Sequence, residues 1–171
     1  ITPTKTIILN KVNIMSIAST TLASSDTGAL TVEGHLTVNS SATFTMNDHF
    51  QLNGNFVNNG TLTAGAVTLT MKGSGTTQTI GGSSALTLPT LQIGSGNGAD
   101  ISVVVSQNTT VAALTFSTPD KNRTVTINSG KTLTVTGNLT LAQLTKDNMA
   151  SLLSVGAGTC TVGGNLIFSG S

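Results

Sequence analysis

Charged side chains are scarce in this sequence, and flat aromatic rings are scarcer still. Among 171 residues there are 7 Lys and Arg and 6 Asp and Glu, which gives a formal net charge of +1. Nucleic acids and anionic membranes are bound through clustered positive charge, so the composition predicts no nucleic-acid partner. Trp and Tyr are absent and only 5 Phe occur, which argues against a stacking site for sugars or bases.

Cysteine and long apolar runs are also nearly missing. The one cysteine, Cys160, cannot form an internal disulfide, so the sequence demands neither an oxidising nor a reducing compartment. No apolar run approaches the roughly 18 residues that a spanning helix needs, and no signal-peptide core precedes the chain, which starts at Ile1. We therefore expect no membrane span, and a chain that is a processed mature form or an excised segment.

One short pattern recurs along most of the sequence. It consists of an apolar residue, a hydroxyl residue and an apolar residue, then a turn often containing Gly with Asn or His, then a second apolar alternation. The alternation has the period of two that is typical of a half-buried strand, and the Gly and Asn residues break it into turns. The copies begin at Leu30, Phe44, Leu62, Leu86, Thr109, Leu133 and Cys160.

The repeat predicts an all-β, single-domain parallel β-helix, or β-solenoid, of about seven coils. The spacing between successive copies grows along the chain, so we expect the solenoid to widen toward its C terminus. Residues 1–27 do not match the repeat and are predicted to form a strand cap, while residues 28–171 form the solenoid. Between strands, residues 117–123 are predicted to be a polar loop and residues 142–153 a possible short helix.

A threonine recurs in the centre of every copy. Parallel strands in register place equivalent residues over one another, so these threonines should form an outward ladder beside an inward apolar column. The ladder resembles the flat threonine arrays of ice-binding β-solenoids, in which regularly spaced methyl and hydroxyl groups order water. Threonine is also simply a favoured outward residue in strands. The predicted ladder contains Thr31, Thr45, Thr63, Thr87, Thr110, Thr134 and Thr161.

No group of residues in the sequence has the pattern of a catalytic site, a metal site or a cofactor site. His35 and His49 take the turn position that Asn occupies in later copies, so their imidazoles could stack one coil apart with Asp48 nearby. A metal site would need at least one more convergent ligand. Glu33 and Asp48 are the only acids in adjacent equivalent turns, and Cys160 falls in the inward column. We therefore predict no enzyme activity, no metal and no cofactor.

The whole repeat region resembles extracellular β-solenoid segments of prokaryotic surface proteins, namely adhesin-like and autotransporter-like passengers and surface-fibre subunits. The resemblance implies a nonenzymatic, extracellular or cell-surface structural protein that polymerises with copies of itself by strand addition. A stalk or binding segment of a larger adhesin with a cell-surface ligand is an alternative, and an ice-binding module is a third. The predicted assembly residues are Ile7, Ile8, Leu9, Val12 and Ile14 at one end and Leu166, Ile167 and Phe168 at the other.

Overall fold

The computed structural model describes residues 30–73, 75–95, 99–117, 121–142 and 151–169, and before them the backbone of strand residues 8–9, 12–14 and 19–22. Within these ranges the regular elements are all β-strands, and every strand pair is parallel. The protein is a parallel β-solenoid, which confirms the predicted fold class.

Each turn of the solenoid contributes one strand to each of three sides. Side 1 holds β1 (Ile8–Leu9), β4 (Leu30–Val32), β7 (Phe50–Leu52), β10 (Thr68–Met71), the second halves of β12 (Leu86–Ile93) and β14 (Thr109–Phe116), β17 (Leu139–Ala142) and β20 (Leu166–Ser169). Side 2 holds β2 (Val12–Ile14), β5 (Leu36–Val38), β8 (Phe56–Asn58), β11 (Thr77–Gly81), β13 (Ile101–Val105), β15 (Arg123–Ile127) and β18 (Ser151–Ser154). Side 3 holds β3 (Ser19–Leu22), β6 (Thr43–Met46), β9 (Thr61–Ala64), the first halves of β12 and β14, β16 (Thr132–Val135) and β19 (Thr159–Val162).

The solenoid has about five turns from Leu30 to Val135, preceded by β1, β2 and β3 and followed by β17, β18, β19 and β20. The expected number was about seven. The copies at Leu30 and Phe44 share one turn, because β4 and β6 lie on different sides of it, and the copy at Cys160 lies in β19, beyond these five turns. Identical local patterns occur on every side of the repeat, so the pattern alone does not reveal which side a copy occupies.

The turns do lengthen toward the C terminus. A bond between adjacent turns, from Thr68 N to His49 Nδ1, spans 19 residues, whereas the bond from Asn165 N to Asn138 Oδ1 spans 27. On side 2 the strands lengthen as well, from the three residues of β5 and β8 to the five of β11, β13 and β15.

Stacked apolar side chains fill the interior. In β13 and β15 every second residue is buried, and the parallel register places Val103 on Val125 and Val105 on Ile127. Each turn alone would bury little apolar surface, because its inward side chains find partners mainly in the turns before and after it. Stability therefore depends on neighbouring layers.

Three segments were predicted only in outline: the N-terminal segment, residues 142–153 and residues 117–123. The N-terminal segment supplies three strands, β1, β2 and β3, each paired in parallel with the next turn. Leu152 and Leu153, expected within a helix, lie in strand β18, while residues 143–150 fall outside the described part of the chain. Arg123, expected in a polar loop, begins β15 and is completely buried.

Candidate functional site

The last layer of the solenoid leaves apolar side chains exposed at an open strand edge. Leu166 in β20 pairs with Leu139, which is 3% exposed, yet Leu166 itself is 53% exposed. Phe168 is 72% exposed and Ile167 36%. Within the part of the chain that the structure describes, β20 pairs only with β17, and no further strand covers it. We call β18, β19 and β20 together the C-terminal edge.

The N-terminal residues predicted to assemble lie at the opposite end of the stack. Ile8 and Leu9 form β1, while Val12 and Ile14 begin and end β2. Ile7 lies outside the described residues. We call β1, β2 and β3 the N-terminal edge, and each of these strands has a described partner on one face only. The two predicted groups are therefore at opposite ends.

Six of the seven threonines of the predicted ladder lie on side 3. Thr45 pairs with Thr63, and a second row runs from Thr87 to Thr110, from Thr110 to Thr134 and from Thr134 to Thr161. Thr31 instead lies on side 1, where it pairs with Ile8 and Gln51. The residue in register with Thr45 in the preceding turn is Thr21. The error in position follows from the same miscount of turns.

The ladder is also interrupted between Thr63 and Thr87. No described pairing joins β9 to β12, and a groove of about 510 Å³ opens at this step, lined among others by Leu62, Leu88 and Pro89. Pro89 directly follows the side-3 half of β12 and has no N–H to donate to the preceding turn. An evenly spaced flat array, as ice binding requires, is therefore broken in the middle.

The two histidines occupy different corners of the solenoid and are not stacked. His35 precedes a strand of side 2, and its Nδ1 accepts a hydrogen bond from Asn55 N at 2.9 Å. His49 precedes a strand of side 1, and its Nδ1 accepts one from Thr68 N at 2.9 Å. The expected imidazole stack is therefore wrong: each ring serves as a backbone acceptor between turns.

The acids are separated as well. Glu33 follows β4 and accepts a hydrogen bond from Asn53, whereas Asp48 lies ahead of β7 at the other end of side 1. Two carboxylates at different corners cannot share a substrate in the way that paired general acid and base groups do. Among the described residues, no cluster of three or more His, Cys, Asp or Glu could hold a metal ion.

Asp100 lines a second groove, of about 410 Å³, on the outer face of side 2. Its carboxylate accepts hydrogen bonds from Asn122 N at 2.9 Å and Asn122 Nδ2 at 3.2 Å. These bonds, with Lys121 and Arg123 nearby, lower the pKa of Asp100 below its ordinary value, so the group is ionised at neutral pH. The walls are mostly hydroxyl and amide groups, with the exposed Leu152 at one end.

Arg123 is a buried charged residue that sequence reasoning missed. Its Nη1 donates to Ala99 O at 2.8 Å and Asn122 O at 3.3 Å. Gly94, with φ of +83°, packs against the guanidinium so closely that a Cβ there would overlap Nε. A signal was present in the sequence, since Arg123 is the first residue of an alternation that continues through Val125 and Ile127.

Cys160 lies in β19, one of the three strands of the C-terminal edge. It pairs with Leu133, packs against the core and is partly exposed. Burial raises the pKa of its thiol above the ordinary value, so little thiolate is present at neutral pH. The expectation that it lies in the inward column is met, but as part of a half-covered outer layer.

The fold defines the class of protein, a parallel β-solenoid, and comparison with known proteins adds nothing narrower. No known protein family, curated protein or solved structure with which the chain was compared matches it. Within the described residues, no helix is long and apolar enough to cross a bilayer.

Proposed function

We propose that this protein is a nonenzymatic, extracellular structural subunit that assembles end to end with copies of itself. The observation that carries the proposal is the open C-terminal edge, where Leu166, Ile167 and Phe168 stay exposed although equivalent residues one turn earlier are more covered. A further parallel layer would bury these side chains and satisfy the unpaired N–H and C=O groups of the edge strands.

The chemistry of both edges favours such addition. Edge strands of other proteins commonly carry charged residues or proline, which prevent pairing with another chain. The strands of the C-terminal edge, with sequences SLLS, TCTV and LIFS, contain neither. The strands of the N-terminal edge, IL, VNI and STTL, contain neither as well. Stacking one edge on the other therefore sets no like charges of these strands against each other.

Composition and side-chain contacts support the remaining parts of the proposal. Scattered acids and histidines that serve as backbone acceptors agree with a structural role rather than with catalysis. Low charge and a surface of hydroxyl and amide side chains agree with close lateral packing outside the cell. The resemblance of the repeat to surface-protein segments supports the extracellular location.

Sedimentation velocity over a wide concentration range, followed by electron microscopy, tests the proposal. We expect species that grow with concentration and end as thin fibres one solenoid wide. A chain that stays monomeric at every concentration contradicts self-assembly. That result would favour the second candidate, a stalk segment of a larger adhesin, because the same open layer would then be covered by another part of a longer chain.

A further inference from the structure

Pairs of hydrogen bonds join successive turns at their corners. Asn165 N donates to Asn138 Oδ1 at 2.9 Å, while Leu139 N donates to Asn165 O at 2.9 Å. One residue of the later turn is thus held through both its N–H and its C=O. The holding groups are an acceptor side chain and the N–H of the residue that follows it. We call this arrangement a corner clip.

Corner clips recur along the solenoid. His35 and Leu36 hold Asn55, with distances of 2.9 and 2.9 Å. Asp100 and Ile101 hold Asn122 with the same distances. Other corners show the side-chain half of the clip, in which a backbone N–H of the later turn donates to an acceptor one turn back: Thr68 to His49, Thr79 to Asn55, Ser83 to Asn59 and Thr132 to Asn108.

The side-chain bonds of these corners all have the same polarity. The acceptor side chain belongs to the earlier turn and the backbone N–H that donates to it belongs to the later turn. In the complete clips the second bond runs the other way, from an N–H of the earlier turn to a C=O of the later turn. Each turn therefore directs its acceptor side chain and the N–H that follows toward the C-terminal end of the stack. The residue that these groups hold belongs to the next turn. The stack is directional in its polar contacts as well as in its chain direction.

The last corner clip is half built. Asn165 and Leu166 occupy the positions that Asn138 and Leu139 occupy one turn earlier. Asn165 is exposed, and within the described residues its side-chain oxygen accepts no hydrogen bond. An acceptor and an N–H are therefore placed to hold one residue of a further layer.

We propose that a second copy of this chain adds head to tail, with its N-terminal edge on the C-terminal edge of the first and a residue of the added layer held by Asn165 and Leu166. This inference rests on the proposed end-to-end assembly and specifies its polarity. Two C-terminal edges facing each other would set holding groups against holding groups, with no residue in the orientation that a clip holds. The absence of charged residues in β1, β2 and β3 and in β18, β19 and β20 makes the two edges electrostatically compatible.

Two chains, each blocked at one end, test the polarity. Phe168→Lys places a charge on the C-terminal edge, and a small folded domain fused ahead of Ile1 covers the N-terminal edge. We expect each blocked chain alone to be monomeric, and an equimolar mixture to form a one-to-one dimer that grows no further. A two-fold arrangement through the C-terminal edges would instead make the N-terminally blocked chain dimerise alone, which would overturn the inference while leaving self-assembly standing. If the unblocked chain does not associate, both proposals fall.

Variants of Asn165 test the clip itself. Asn165→Ala removes the acceptor and should weaken association about threefold to tenfold, the range expected for one hydrogen bond. Asn165→His should restore much of it, because His35 and His49 fill the same role through Nδ1. Asn47→Ala is the matched control, because Asn47 is also an exposed corner asparagine but lies far from the C-terminal edge and takes no part in a described clip. Equal association by Asn165→Ala and Asn47→Ala would contradict the role of the clip.

Discussion

Truncating Phe168 measures how much the open layer contributes to assembly. A phenylalanine presents roughly 200 Å² of side-chain surface, and Phe168 is 72% exposed. Covering most of that exposed area in a new layer would remove about 120 Å² of apolar surface from water, which at about 25 cal/mol per Å² corresponds to about 3 kcal/mol. Phe168→Ala should therefore weaken association about 100-fold, since each 1.4 kcal/mol is a factor of about ten.

Sedimentation equilibrium on the wild type and variants gives the association constants directly. Leu152→Ala is the matched control, because Leu152 is 51% exposed but lines the groove on the outer face of side 2 instead of lying on β20. Its replacement should change association less than threefold. Circular dichroism must show that both variants keep the β-structure. If Phe168→Ala associates like the wild type, the exposed side chain of β20 is not part of the contact.

Three further predictions concern folding and the exposed groups. Gly94→Ala should lower the free energy of unfolding by about 2 kcal/mol more than Gly130→Ala in urea titrations. Both glycines have positive φ, but only Gly94 packs on Arg123, whereas Gly130 faces open space. Equal losses would show that Arg123 can move aside. Because the pKa of Asp100 is lowered in the folded protein, ionised Asp100 stabilises the fold at pH values above its ordinary pKa of 3.8, and this stabilisation is lost as the pH falls through the lowered pKa. Asp100→Asn should therefore reduce the drop in melting temperature between pH 6 and pH 3. An unchanged drop would assign the acid sensitivity to other carboxylates. Alkylation of Cys160 at pH 7 should be slower than that of a free thiol because its pKa is raised, and should slow further with protein concentration as added layers cover β19; a rate independent of concentration would place the growing contact elsewhere.

Much of the fold is predictable because the alternation of buried and outward residues is local. Val103 and Val105 are buried for a reason visible in five consecutive residues, and the repeat shows that such strands must stack. The assignment of a strand to a side is not local. Leu30–Val32 on side 1 has the same apolar, hydroxyl, apolar pattern as strands on side 3, so Thr31 was placed in the wrong column. Only the lengths of the intervening corners decide the side.

Other features depended on residues one turn away. Arg123 is buried because Gly94, in the preceding turn, leaves room for its guanidinium, and because Ala99 supplies a carbonyl acceptor. Nothing adjacent to Arg123 in the sequence indicates either partner. The break in the threonine ladder lies between β9 and β12, two strands in successive turns, and Pro89 beside it lacks an N–H for the earlier turn. Contacts between turns are therefore the part of this fold that a single sequence conveys least.

The dependence of each layer on its neighbours connects stability to assembly. In the interior a layer such as β13 is covered on both sides, by β11 and β15, whereas β20 is covered by β17 alone within the described chain. A copy that stacks on the C-terminal edge supplies the missing neighbour, so binding and folding of the last layer should be linked. The apparent melting temperature should then rise with protein concentration in the wild type and stay constant in Phe168→Lys. If both chains melt at temperatures independent of concentration, the outer layer is stable by itself and gains nothing from a second copy.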